Sequence, residues 1–331
     1  MRKSPLIANF RIAALCTLLV VPLWVFAQAP LERAATVQWM GQIESRRLDE
    51  SSGLAASQRY EDILWSMNDS GSEAELFALT IRGEHVGRWS IDLPKPTDWE
   101  AMDSFQWRGK NYLLVADIGD NFATRGSVSY TILEEPDARS LADDAILRPL
   151  MSQHFVYPKG PRDSEAIAVN PARGEILVLS KRTKPPELYR LPLSLFPAKE
   201  PQEQTDAGEP ITASYVTSLQ GFVAPARAEV DLYGGIWKYL AMPTGMSIAD
   251  DRLLVTTLEH AYLFDLNNLA APPYRVMLPF VGQREAIAFA KDRSDRAYVS
   301  HERKHGLRSA DIYRVDIAPL RSNQPPSNEK Q

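Results

Sequence analysis

The chain beyond its first residues carries short runs of β-prone apolar residues, separated by Gly, Pro, Asn and Asp. Apolar runs of about four to eight residues between turn-forming residues are typical of β-strands. No long stretch keeps the 3.6-residue spacing that an amphipathic helix needs. The pattern therefore predicts an almost entirely β protein.

The runs recur as a unit with a constant beginning. Each unit starts with an acidic or hydroxyl residue, followed by Gly or Ala and then an aliphatic residue, as in "EAIAV" and "EAIAF". Repeats at intervals of tens of residues are typical of propellers and solenoids. The starts are spaced by 48, 65, 79 and 41 residues and are Ser52, Glu100, Glu165, Thr244 and Glu285.

Each start is followed by second and third apolar runs, and the first four units also have a fourth. The fifth unit lacks a fourth run, whereas "TVQWMGQI" at 36–43 precedes the first unit. We expect this segment to complete the last blade and close the ring, which removes exposed sheet edges. The prediction is an all-β propeller of five four-stranded blades. Six blades are the alternative, because "IWKYLAM" at 236–242 is also strand-like.

The first 27 residues have the composition of an export signal. Arg2, Lys3 and Arg11 precede an uncharged, mostly apolar run that is short for a membrane span, which needs about 20 apolar residues. The only cysteine, Cys16, lies in this segment, so the rest of the chain must fold without disulfides. We expect a periplasmic or secreted protein, not inserted in a membrane after signal removal. Its parts would be a signal peptide over 1–27, one propeller over 28–320 and a disordered tail over 321–331.

The net charge of the chain limits which kinds of molecule it is expected to bind. The formal net charge is −5, and removal of the three signal-segment cations leaves −8 on the remaining 304 residues. Nucleic-acid binding needs clustered Lys and Arg, so this balance argues against it. We expect a monomer that binds a small polar or anionic ligand.

The repeated glutamates predict an acidic channel mouth. In a propeller the innermost strands line the central channel, and the antiparallel second strand returns to the mouth where the first begins. Several carboxylates around one opening repel each other unless positive charge lies among them. Lys181 and Arg182 could supply it, as could a divalent cation, with Ca²⁺ favoured over Mg²⁺. The alternative is that each glutamate only bonds the next blade and locks the ring.

At these residues the chain resembles the secreted β-propellers that include the phytase-like esterase proteins and the gluconolactonase-like calcium-binding proteins. The motifs are the "SGL", "EAIA" and "EAM" strand starts and the turns "NDSG" and "DIGDN". The resemblance implies a divalent ion held at the channel mouth by Glu, Asn and Asp, with a carboxylate assisting water attack on an ester. This chain departs from those relatives in having five predicted blades and a glutamate in three of them.

These observations define the candidate residues. Glu165 and Glu100 are the candidate catalytic carboxylates for metal-assisted hydrolysis of an ester, lactone or phosphoester. The alternative function is a non-catalytic scaffold whose loops contact a protein partner. Candidate ligand-binding residues are Lys181, Arg182, His301 and Trp99, which adjoins Glu100. Candidate metal ligands are Glu100, Glu165, Glu285, Asn68, Asp69, Asp117 and Asn121.

The sequence also contains a pattern found in zinc sites. "HERKH" at 301–305 fits the H-E-x-x-H zinc pattern, which requires a helix. Here the motif follows a strand-like run and precedes Gly306, so a charged hairpin loop is favoured.

Overall fold

The computed structural model describes residues 30–140, 145–195, 209–224, 231, 238–278, 284–303 and 310–317. The predicted signal segment and tail lie outside these residues, as does most of the region 196–210. Within the described residues there is no helix long and apolar enough to span a membrane.

The strands form five sheets, as predicted. Sheet by sheet from the innermost strand, they are as follows. Blade 1 holds β3 Ser51–Ala56, β4 Ile63–Asn68, β5 Glu75–Thr80, β6 His85–Ile91 and β10 Ala145–Leu147. Blade 2 holds β7 Trp99–Trp107, β8 Lys110–Asp117, β9 Val128–Glu134, β11 Met151–Val156 and β15 Ile211–Thr212. Blade 3 holds β12 Ser164–Asn170, β13 Glu175–Ser180, β14 Glu187–Pro192 and β16 Ser214–Ser218. Blade 4 holds β17 Pro243–Ala249, β18 Arg252–Thr257, β19 His260–Asp265, β20 Tyr274–Met277 and β1 Leu31–Arg33. Blade 5 holds β21 Arg284–Phe289, β22 Arg296–His301, β23 Asp311–Ile317 and β2 Ala35–Gln42.

The five inner strands form a closed ring. Each packs against the inner strand of the next blade, and β21 packs against β3 to complete the circle. Five apolar clusters fill the five interfaces between neighbouring blades. In the interface of blades 1 and 2, for example, the rings of Trp65 and Trp89 meet edge-on at 5.2 Å. Because each inner strand packs against a neighbouring blade on both of its faces, it has almost no exposed residues.

The N-terminal segment closes the ring, which confirms the prediction. Strand β2 pairs antiparallel with β23 and so supplies the outermost strand of blade 5. It also contacts blade 1, since the amide of Glu44 donates to the carbonyl of Gly83 at 2.9 Å. The first and last blades are therefore joined through one strand.

Three blades have a fifth strand that the repeat pattern did not predict. Strands β10, β15 and β1 run parallel to the outer strands β6, β11 and β20. These are two- and three-residue pieces of connecting segments, too short to leave a periodic signal. They cover part of the outer edges of blades 1, 2 and 4.

The six-blade alternative is wrong, because the described strands form five sheets. Residues 238–242, the described part of "IWKYLAM", form a short 3-10 and turn segment rather than a strand. Leu240 in this segment is fully buried, which explains its strand-like composition. Two further 3-10 turns are η1 Pro171–Arg173 and η2 Leu193–Leu195.

Candidate functional site

A β-bulge opens each of the five inner strands. The pairing register shifts by one residue between the first and third positions of the bulge in every blade. A bulge leaves one residue without a partner and re-aims its side chain. The skipped residues are the five predicted unit starts, Ser52, Glu100, Glu165, Thr244 and Glu285.

The two hydroxyl members of this set bond to the neighbouring blade. Ser52 donates to the backbone carbonyl of Glu100 at 3.1 Å and contacts its carboxylate at 3.4 Å. Thr244 donates to the carbonyl of Arg284 at 2.8 Å. Both hydroxyl groups therefore bond the next blade, which is the role that the alternative interpretation gave to the glutamates.

The three glutamates converge on one lysine. Lys181 directly follows β13, and its ammonium forms an ion pair with Oε1 of Glu165. Burial lowers the pKa of Lys181, but the charges of Glu165, Glu285 and Glu100 outweigh burial and raise it overall. Residues from blades 2, 3 and 5 therefore share one electrostatic centre near the axis.

One ammonium does not neutralise three buried carboxylates. Burial raises the pKa of Glu100 well above its ordinary value, and the charges of Glu165 and Asp69 add to the effect. Burial likewise raises the pKa of Glu285, again with a contribution from Glu165. The centre is therefore stabilised by taking up protons or by a bound cation.

Glu165 has one engaged and one orphaned oxygen. Its Oε1 pairs with Lys181, whereas its buried Oε2 has no hydrogen-bond partner among the described residues. A buried polar atom without a partner costs about 1–3 kcal/mol. This atom is therefore a position where a ligand or water is expected.

A second carboxylate group lies beside this centre. One oxygen from each of Asp69, Asp98 and Glu100 lies within 4.8 Å of the other two. Asp69 follows β4 of blade 1, Asp98 directly precedes β7 of blade 2, and Glu100 is the second residue of β7. Burial raises the pKa of Asp98 to about 6, and the charges of Asp69 and Asp163 contribute. Asp98 was missed by the sequence analysis, although it stands two residues before the repeated Glu100.

Gly119 forms the wall behind two of these carboxylates. A Cβ at this position would overlap Oδ2 of Asp98 and lie 2.7 Å from Oε1 of Glu100. The amide of Gly119 also donates to the carbonyl of Asp98 at 3.2 Å. The backbone approaches both side chains closely because the residue has no side chain of its own.

Two predicted metal ligands, Asn68 and Asp117, have other partners in the structure. Asn68 accepts from the amide of Glu50 at 3.1 Å and donates to the carbonyl of Arg47 at 2.6 Å. Asp117 accepts from the amide of Asp98 at 3.1 Å and pairs with Arg125 at 2.7 Å. Asp117 thus holds the backbone of a candidate ligand.

The remaining predicted site residues lie in different parts of the structure. Asn121 accepts a hydrogen bond from Arg182, whose Nε pairs with Asp163 at the same mouth. The ring of Trp99 is buried in the apolar cluster between blades 1 and 2, because the bulge turns the adjacent Glu100 towards the channel and leaves Trp99 in the interface. His301 is buried, with Nε2 accepting from the amide of Asp311 at 3.3 Å. The second histidine of "HERKH" lies outside the described residues.

No protein-family model and no curated protein matches this chain. Among solved structures it is similar to a PQQ-bound aldose sugar dehydrogenase from Streptomyces coelicolor, with 12% identity and a TM-score of 0.44. That match covers 88% of this chain and 100% of the other. It is also similar to a luciferin-regenerating enzyme, with 10% identity and a TM-score of 0.44 over 87% of this chain and 98% of the other. At these identities the likeness concerns the fold alone.

Proposed function

We propose that the protein is a β-propeller that binds a divalent cation and a small polar ligand at one mouth of its channel. Asp69, Asp98 and Glu100 would hold the cation, with Glu165 and Lys181 beside it. The observation that carries the proposal is the approach of three carboxylate oxygens within 4.8 Å of one another. Such groups repel one another unless protons or a cation lie among them.

The residues present fit a hard cation. Ca²⁺ and Mg²⁺ both take carboxylate oxygens, and Ca²⁺ accepts the more variable coordination number and geometry. The three carboxylates come from two blades rather than from one regular loop, which favours Ca²⁺. The buried Oε2 of Glu165, which has no hydrogen-bond partner among the described residues, supports a bound group beside these carboxylates.

Calcium titration by calorimetry of the purified protein tests this proposal. We expect Asp98→Asn and Glu100→Gln each to weaken Ca²⁺ binding at least about tenfold, or about 1.4 kcal/mol. Asp103→Asn is the matched control, because Asp103 is a buried carboxylate of the same strand but bonds the amide of Val169 in blade 3. Absence of Ca²⁺ binding by the wild type would contradict the proposal.

Hydrolysis of an ester, lactone or phosphoester is a second candidate function, favoured by Glu165. Lys181 fixes Oε1, and burial raises the pKa of the carboxyl despite that ion pair. A fixed carboxylate with a raised pKa suits a proton acceptor for an attacking water. A bound divalent cation would polarise the carbonyl or phosphoryl oxygen of the substrate.

Turnover of an aryl ester, a lactone and an aryl phosphate tests hydrolysis. We expect Glu165→Gln to lower kcat about a hundredfold or more, since positioned acid–base groups contribute about that much. Glu175→Gln is the control, because Glu175 is a buried glutamate of blade 3 whose partner is Arg190. Equal rates in the two variants would remove Glu165 from any catalytic role and leave binding, or the scaffold function, as the alternatives.

The proposal includes export. The residues that support it are the positive start and the short apolar run over the first 27 residues. Mass analysis of the mature protein, expressed with its own N-terminus, would show whether cleavage follows Ala27.

A further inference from the structure

The cationic side chains of Arg182 and Lys238 lie against the ring of Tyr239 at the edge of the mouth between blades 3 and 4. We call these three residues the lip. The guanidinium carbon of Arg182 lies 5.5 Å from the ring centroid of Tyr239, and Nζ of Lys238 lies 4.8 Å from it. Arg182 stands two residues beyond the end of β13, and Tyr239 stands four residues before the start of β17. Both strand ends open on the mouth that holds Glu165 and Thr244.

Contacts within the protein fix Arg182 and the segment carrying Tyr239 in the absence of a ligand. The Nε of Arg182 pairs with Asp163, and its Nη2 donates to the side chain of Asn121. The segment carrying Tyr239 is fixed by the fully buried Leu240 and by a turn from the amide of Met242 to the carbonyl of Tyr239 at 2.9 Å. A fixed arginine fork binds oxyanions well because little conformational entropy is lost on binding.

Asp163 connects the lip to the cation site. One of its oxygens accepts from Arg182, and the other accepts from the amide of Asp120 at 3.0 Å. Its charge also contributes to the raised pKa of Asp98. A small molecule at the mouth can therefore contact the lip with one end and face the carboxylate group with the other.

The charges at the lip favour an anion. Arg182 and Lys238 place two positive charges against one ring, and Asp163 balances only one of them. An anion between them would balance the other. Hydrogen bonding from Lys238 and Arg182 also lowers the pKa of Tyr239. The opposite mouth is a polar cavity of about 430 Å³ whose lining includes Lys291 paired with Asp292 at 3.0 Å.

We propose that Arg182, Lys238 and Tyr239 bind an oxyanion of the ligand, either a phosphoryl or a carboxylate group. This inference rests on the proposed function, because it assigns the chemical class of the ligand at the same mouth. A cation bound by Asp69, Asp98 and Glu100 would strengthen the oxyanion site by neutralising nearby carboxylates. Linkage requires the anion to tighten Ca²⁺ binding by the same factor.

Calorimetric titration of the protein with inorganic phosphate and with acetate, first without added Ca²⁺ and then with Ca²⁺ kept below the solubility limit of its phosphate, tests the oxyanion site. We expect Arg182→Gln to weaken anion binding about tenfold and Lys238→Met about fivefold, in line with loss of charge-assisted hydrogen bonds. Lys291→Met is the control with the same change of charge at the opposite mouth, and we expect no effect. Tighter binding of phosphate than acetate would assign a phosphoryl ligand, and the reverse order would assign a carboxylate.

Several outcomes would overturn the inference. It fails if neither anion binds the wild type, or if Lys238→Met and Lys291→Met have equal affinities. If Arg182→Gln does not fold because Asp163 has lost its ion-pair partner, the anion affinity of Lys238→Met alone tests the inference. Ca²⁺ affinity measured on the same samples separates the two proposals. Ca²⁺ binding without anion binding contradicts the proposed oxyanion site, and anion binding without Ca²⁺ binding contradicts the proposed cation site.

Discussion

Gly119 supports two carboxylates of the candidate cation site through the absence of a side chain. A methyl group there would overlap the carboxyl groups of Asp98 and Glu100, whose atoms lie nearest to it. Flexible side-chain ends can move away, so the fold tolerates the change better than the site does. Single residues at this mouth therefore differ in whether they act on stability or on binding.

Gly119→Ala should separate these two effects. We expect Ca²⁺ affinity to fall about tenfold or more, because two of three ligands are displaced, while the free energy of unfolding changes by under about 1 kcal/mol. Calorimetry and urea denaturation measure the two quantities. Unchanged Ca²⁺ affinity would show that Asp98 and Glu100 do not bind the ion together.

Asp103 illustrates a buried carboxyl with a structural role. Its oxygens accept from the amides of Val169 at 2.7 Å and Ser104 at 2.8 Å, so it joins blade 2 to blade 3. Burial raises its pKa to about 7, against the opposing effect of these two bonds. The folded protein thus binds a proton at Asp103 more tightly than the unfolded chain does.

The sign of the resulting pH dependence follows from linkage. The contribution of Asp103 to stability is fully present below the unfolded pKa of 3.8 and is lost as the pH rises to about 7. Relative to Asp103→Asn, the wild type should lose about 3 kcal/mol of unfolding free energy between about pH 4.5 and pH 7.5. Urea denaturation of both proteins across this range measures it, and parallel pH profiles would contradict the assignment.

At the scale of elements, β-bulges determine where the repeated polar side chains point, and close strand contacts determine how the ring closes. The bulge at the start of each inner strand turns the repeated polar residue out of the ladder, which plain strand alternation would not do. The closing strand β2 also has a register shift, between Trp39 and Gly41. There the backbone passes directly against the β5–β6 hairpin, and a Cβ on Gly41 would overlap the carbonyl of Arg82.

Gly41→Ala tests the closure by β2. The clash is with backbone, which cannot rotate away, so we expect a loss of about 1–3 kcal/mol in unfolding free energy. Gly126→Ala is the control, because a Cβ there meets no atom within 4 Å. If the two variants are equally stable by urea denaturation, β2 does not pack tightly against blade 1.

At the scale of the whole molecule, five separate apolar interfaces form one ring around a charged axis. The ring brings Glu100, Glu165 and Glu285, which lie up to 185 residues apart in the chain, to a single ammonium. The mutual repulsion of the carboxyl groups at this mouth opposes closure of the ring. A cation bound there should therefore stabilise the complete fold rather than one blade.

Chelation should lower the melting temperature of the protein. With free Ca²⁺ at about 100 times its Kd, binding contributes about 2.7 kcal/mol, or a Tm change of about 4–5 °C for a domain of this size. Differential scanning calorimetry with and without chelator measures the shift. Asp98→Asn should show a much smaller shift, and an equal shift in that variant would place the stabilising ion elsewhere.

The amino-acid sequence predicted five blades with six as the alternative, and it determined the closing strand and the five positions that become bulges. These follow from repeated local patterns, since every blade needs two buried faces and a turn in the same order. Short parallel strands such as β10 escaped prediction because their pairing depends on partners far along the chain.

Which polar residues work together was decided only by the tertiary structure. Asn68 and Asp117 occupy equivalent strand ends in the repeat, yet their oxygens bond nearby backbone, whereas the unrepeated Asp98 joins Asp69 and Glu100. Lys181 could be named from the sequence, but its position among three glutamates depends on closure of the ring. Repetition fixes which strand end a residue occupies, whereas side-chain partners depend on distances between blades, which the local sequence does not encode.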